Sequence, residues 1–119
     1  MALRSLFRDH PELAVDLLRL GGVEFPDECT ACAGDPVLVP GDDDMTVDAV
    51  TLLKDAAGVT RFGVIVELVD QADEARRRGW PILGRLLELR ERATCKVLVM
   101  ALTDELRAWA DGRQVVASA

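Results

Sequence analysis

Three runs of the sequence, Thr46–Leu53 (TVDAVTLL), Phe62–Val69 (FGVIVELV) and Cys95–Leu102 (CKVLVMAL), are rich in β-branched residues and apolar at successive positions. A strand whose odd and even residues are both apolar has no face to offer water, so it belongs inside a sheet covered on both sides. The covers must come from the rest of this chain, which therefore reads as α/β rather than all-β.

Helical spacing is present where those covers are needed. Leu3, Leu6 and Phe7, then Leu13, Ala14, Leu17 and Leu18, predict a short helix over 3–8 and a firmer one over 11–20, with Pro11 in a first turn and Gly21-Gly22 as the stop. Residues 23–45 read as loop, with a short edge strand at Val37-Leu38-Val39 between prolines. Ala-Gly in the linker KDAAGVTR predicts an antiparallel hairpin joining the first two apolar runs. The charged stretch Ala72–Arg92 reads as helix interrupted at Gly79-Trp80-Pro81, with Leu83, Leu86, Leu87 and Arg90 as its inward stripe. Thr103-Asp104-Glu105 caps a last helix to Ala110, and Gln114–Ala117 begins one more strand. The order is α-β-β-β-α-β-α in a single domain, 1–119, with a mixed central sheet flanked by helices.

The 119 residues are half apolar and 29% charged, which excludes a disordered chain, and three cysteines are too few for a disulfide scaffold. No apolar run approaches the roughly 20 residues of a membrane span, and charges break up the start MALRSLFRDHPEL too often for a signal peptide. A cytoplasmic protein with no membrane association is the expectation. Residues 1–75 carry 5 basic and 16 acidic side chains, whereas residues 76–119 carry 9 basic and 5 acidic. A net charge of −7 opposes non-specific nucleic-acid binding, which comes mainly from neutralised phosphates. The basic strip from Arg76 to Lys96 either docks a polyanion or complements the acidic half of the fold.

Two carboxylates, Asp48 and Glu67, interrupt the first two apolar strands, where a lone charge is expensive to bury. A hairpin turning at Ala57-Gly58 pairs residues whose numbers sum to 115, which sets Asp48 opposite Glu67. Cross-strand Cβ atoms lie about 5 Å apart, so two carboxylates there need a cation, a shared proton or an arginine between them. Mg²⁺ suits such a pair because it takes one or two carboxylates and keeps waters. In the other reading Glu67 is solvated at a strand end or pairs with one of Arg76–Arg78, and Asp48 caps a neighbouring turn.

The stretches HPELAVDLLR, VDAVTLL, VIVELV, WPILGRLLELRER, CKVLVMAL and RAWA, in that order across nearly the whole chain, resemble a group of actinobacterial proteins related to the PD-(D/E)xK nuclease and transposase superfamily. The resemblance implies a restriction-endonuclease-like α-β-β-β-α-β core and hydrolysis of a DNA phosphodiester by a metal-activated water. It places the motif's aspartate at Asp48 and its glutamate at Glu67, both as Mg²⁺ ligands and catalytic residues. Arg76 and Arg77 follow closely enough to steady a scissile phosphate, or to hold the acidic site together. The chain departs from the pattern at Val69, where the superfamily has lysine and this group often glutamine, and at Leu83, where a tyrosine is expected. Gln71 has the right parity but lies one step beyond the usual place. A shortened, catalytically weakened or inactive member is the expectation. The alternative is a non-catalytic interaction module that binds a protein partner or forms a homodimer.

Cys29-Thr30-Ala31-Cys32 is a single CxxC, and with Cys95 and His10 the chain has four zinc-type donors on paper. The second half of a zinc motif is missing, so these read as ordinary thiols. Glu12 reads as a solvated acid at a helix start, Asp42-Asp43-Asp44 as a solvated loop, and Trp80 and Trp109 as packing residues.

Overall fold

The hairpin between the first two apolar runs forms in the expected register. In the computed structural model, which describes residues 3–26, 28–39, 42–47, 49–110 and 115–118, β4 (Ala49–Lys54) pairs antiparallel with β5 (Thr60–Val69). Partners run from Ala49 opposite Val66 to Leu53 opposite Phe62, then shift at a bulge beside Lys54. The turn is pinned by Asp55, whose Oδ1 accepts from the backbone N–H groups of Ala57 at 2.9 Å and Val59 at 3.0 Å. Gly58 supplies a φ of 80°, which a residue with a Cβ resists.

Two helices precede the sheet: α1 (Leu3–Asp9) and α2 (Glu12–Leu20). After β5 the chain forms α3 (Glu74–Glu91), returns as β6 (Thr94–Ala101), crosses through α4 (Asp104–Ala110) and ends in β7 (Val115–Ser118). β5, β6 and β7 run parallel, each joined to the next through a helix, as parallel neighbours require. The fold is α/β, with β1 (Thr30–Ala33) at one edge of a mixed five-stranded sheet in the order β1-β4-β5-β6-β7 and β5 at its centre. Ala49, Leu53, Val64, Val66 and Leu98 pack against α1 and α2 through Phe7, Ala14, Val15 and Leu18. Alternate residues Val50, Leu52, Ile65, Val97 and Val99 pack on the other face against Trp80, Leu83 and Leu87 of α3. Both sheet faces are covered, which is why these strands are apolar on both of their faces. Among the described residues no helix is long and apolar enough to cross a membrane.

Four expectations need correction. The segment 23–45 holds strands: β1 (Thr30–Ala33) is an edge of the main sheet beside β4, and β2 (Leu38–Val39) pairs with β3 (Asp42–Thr46) in a separate two-stranded sheet. The run Thr46–Leu53 is divided, because Thr46 closes β3 and β4 begins only at Ala49. Helix α3 continues through Gly79-Trp80-Pro81 without a break. A proline inside a helix costs about 3 kcal/mol. Burial of Trp80, Leu83 and Leu87, each wholly inaccessible, stabilises by roughly 1.5–3 kcal/mol per side chain and outweighs it. Arg90 faces outward and donates to the carbonyls of Asp35 and Pro36 at 3.0 and 3.1 Å, tying the loop before β2 to α3.

Candidate functional site

Glu67 lies near the carboxyl end of the central strand, on the face it shares with Ile65 and Val69, and is completely buried. Its partner comes from the first turns of α3. Asp73 caps that helix by accepting from the backbone N–H of Arg76 at 3.1 Å, which fixes where Arg76 leaves the helix. The guanidinium then forks the carboxylate: Nε donates to Oε2 at 2.9 Å and Nη2 to Oε1 at 3.0 Å, with Nη2 also 2.8 Å from Oε2. A bidentate, charge-assisted pair of this kind is the geometry that makes a buried carboxylate tolerable. Glu67 therefore follows the expectation of an arginine partner, and Arg76 is that arginine.

Beyond the end of β5 lies a cleft of about 440 Å³. Val47, Leu68, Val69, Asp70, Gln71 and Asp73 line it together with Arg8, Arg76, Trp80 and Trp109. The carboxyl ends of parallel strands are where open α/β sheets usually hold ligands. Val69, 6% exposed, presents only its isopropyl group here, and Gln71 stands exposed in the turn. The Nε1–H of Trp80 is buried with no acceptor among the described residues.

The other predicted site residues are placed as follows. Asp48 lies outside the described residues. Arg77 is not at Glu67; its Nη1 is 3.3 Å from Glu74 Oε1, and its guanidinium sits 5.5 Å over the Trp109 ring. Trp109 in turn donates to Glu74 Oε1 at 2.7 Å and stands edge-on to Trp80 at 5.9 Å. Glu12 is exposed beside His10 at 3.4 Å. Cys29 and Cys32 are three residues apart across the start of β1, so they project to opposite faces, Cys29 toward α2 and Cys32 toward α3. They do not form a ligand pair. Burial pushes the Cys95 thiol up to about 12, so that thiol is inert at neutral pH.

Both carboxylate oxygens of Glu67 are engaged by Arg76, and among the described residues no three metal-ligating side chains converge. Sequence reasoning missed Arg8 and Asp73 as cleft residues. Nothing in the helical pattern marks Arg8, whereas Asp73 three residues before Arg76 is a helix-cap signal legible in the sequence. No family model, curated protein or solved structure matches the chain.

Proposed function

We propose that this chain is a domain of the PD-(D/E)xK nuclease kind in which phosphodiester hydrolysis is weakened or inactive, with Arg76 compensating Glu67 where the resemblance implies Mg²⁺. The observation that carries this reading is the forked Arg76–Glu67 pair on a wholly buried carboxylate. Support comes also from Val69, whose apolar side chain on the same strand face neither donates a hydrogen bond nor stabilises developing charge. Loss of one such stabilising group from a hydrolase typically removes about 10²–10³ in rate.

The test is cleavage of plasmid DNA in Mg²⁺ or Mn²⁺. The unmodified chain is expected to cleave at background rate, Val69→Lys to raise the rate, and Asp48→Ala to cancel the gain. Thermal melts must accompany the assay, because a buried lysine with no counter-charge costs a few kcal/mol. Robust cleavage by the unmodified chain overturns the loss of activity. A folded Val69→Lys chain that binds the metal and does not cleave leaves the second reading, a non-catalytic module that binds a protein partner or another copy. That reading is favoured by the outer face of α3.

A further inference from the structure

Because α3 is continuous through Pro81, residues on either side of that proline share one outer face. Arg78, Ile82, Arg85 and Leu89 stand at intervals of four, three and four, which places them in a single row along the helix. All four are exposed, Ile82 by 51% and Leu89 by 61%. Exposed Ala75 precedes the row, and the helix ends at Glu91, two residues after Leu89. Ala75, Ile82 and Leu89 thus stand seven residues apart, with Arg78 and Arg85 between them, a spacing of roughly 10.5 Å along the axis.

Scattered surface leucines need no explanation, but Ile82 and Leu89 stand two turns apart in one row with Arg78 and Arg85, so a single stripe offers both apolar contact and positive charge. The sheet does not account for it, since α3 covers the sheet with Trp80, Leu83 and Leu87 on its other side. Charge identifies the kind of partner. Among the described residues Arg78 has no ion pair, and Arg85 reaches only Glu88 at 3.7 Å across open surface. An isologous pairing of two copies gathers four arginines into one contact, which opposes it. A lipid surface requires a broad apolar face rather than a single row.

We propose that the outer face of α3 is a docking surface for an acidic amphipathic helix, whose apolar seam residues pack on Ile82 and Leu89 and whose carboxylates pair with Arg78 and Arg85. The proposal rests on the interaction-module reading and gives that reading a partner class. It uses none of the residues at Glu67, so its failure leaves the Val69→Lys result intact, and the reverse.

The probe is a synthetic three-heptad peptide with leucine and glutamate alternating at its two seam positions. It is titrated into the isotope-labelled full chain and followed by amide chemical shifts. Shifts confined to 78–89 are expected, with affinity falling about tenfold when salt rises from about 50 to about 500 mM. Arg85→Glu and the double change Ile82→Ser with Leu89→Ser should each weaken binding about tenfold while leaving the melting temperature unchanged. A peptide with lysine in place of glutamate should not bind. The proposal is overturned by absence of shifts at millimolar peptide, by shifts elsewhere, or by full affinity in the Arg85→Glu chain. It is equally overturned if the row drives self-association in sedimentation, or binds phosphatidylserine vesicles while ignoring the peptide.

Discussion

Glu67 and Glu74 each meet an arginine of the same helix, and the two pairs differ in one respect that decides their weight. Glu67 is wholly buried and forked by Arg76 at 2.8–3.0 Å, while Glu74 is exposed and touches Arg77 at 3.3 Å through a single nitrogen. Water solvates Glu74 if its arginine leaves, so that pair contributes little. Glu67, wholly buried, has no water to turn to. The same two residue types thus make a structural lock on one side of α3 and a surface decoration on the other.

The largest effect expected from breaking this contrast is at the buried pair. Arg76→Ala removes the forked partner of a wholly buried carboxylate and should cost about 3–5 kcal/mol in urea unfolding, whereas Arg77→Ala should cost less than about 1 kcal/mol. Replacing both partners, Glu67→Leu with Arg76→Met, should recover most of that loss, since buried pairs exchanged for packed apolar groups are often neutral. A double variant as unstable as Arg76→Ala would mean that the pair is worth more than its desolvation costs.

A smaller effect tests the same interface by shape rather than charge. Gly63 lies under α3, where an added Cβ would come within 2.7 Å of Cys95 Sγ and 3.0 Å of Leu87 Cδ2. Gly63→Ala should therefore destabilise by about 1–3 kcal/mol, the usual range for overpacking. Cys95→Ala in the same chain should return part of that loss by vacating the space. Substitution of Arg85 on the outer face by alanine should stay within about 0.5 kcal/mol.

Apolar periodicity made the sheet legible. Continuous apolar runs located β5 and β6, and the Ala-Gly turn set the register that Ala49–Val66 and its neighbours follow. Thr103 was legible as a cap, and its Oγ1 accepts from the backbone N–H of Leu106 at 3.1 Å. β1 was not, because TACA has small residues and too few positions to display a period, and its pairing with β4 is set by tertiary contact. β3 was hidden for a different reason: Asp42-Asp43-Asp44 has the composition of a loop, yet its backbone pairs with β2. The site was half legible. Glu67 stood out as a charge in an apolar strand, but which of three successive arginines reaches it depends on the helix start that Asp73 fixes.

The smallest effect lies at the exposed pair and is read by titration. The Glu74 carboxyl is held below its ordinary value of 4.5, first by the hydrogen bond from Trp109 and then by the charge of Arg77. A carboxyl whose pKa is lower in the folded chain contributes stability above its unfolded value, and that contribution fades as pH falls through the folded value. An NMR titration of the Glu74 side chain should therefore give a midpoint below 4.5, and the small stabilisation should vanish on the acid side of it. Trp109→Phe removes the largest cause while keeping an aromatic ring under Arg77, so it should move the midpoint up more than Arg77→Gln does. If Arg77→Gln moves it further, charge rather than the indole hydrogen bond holds this carboxylate, and the exposed pair resembles the buried one more closely than its geometry implies.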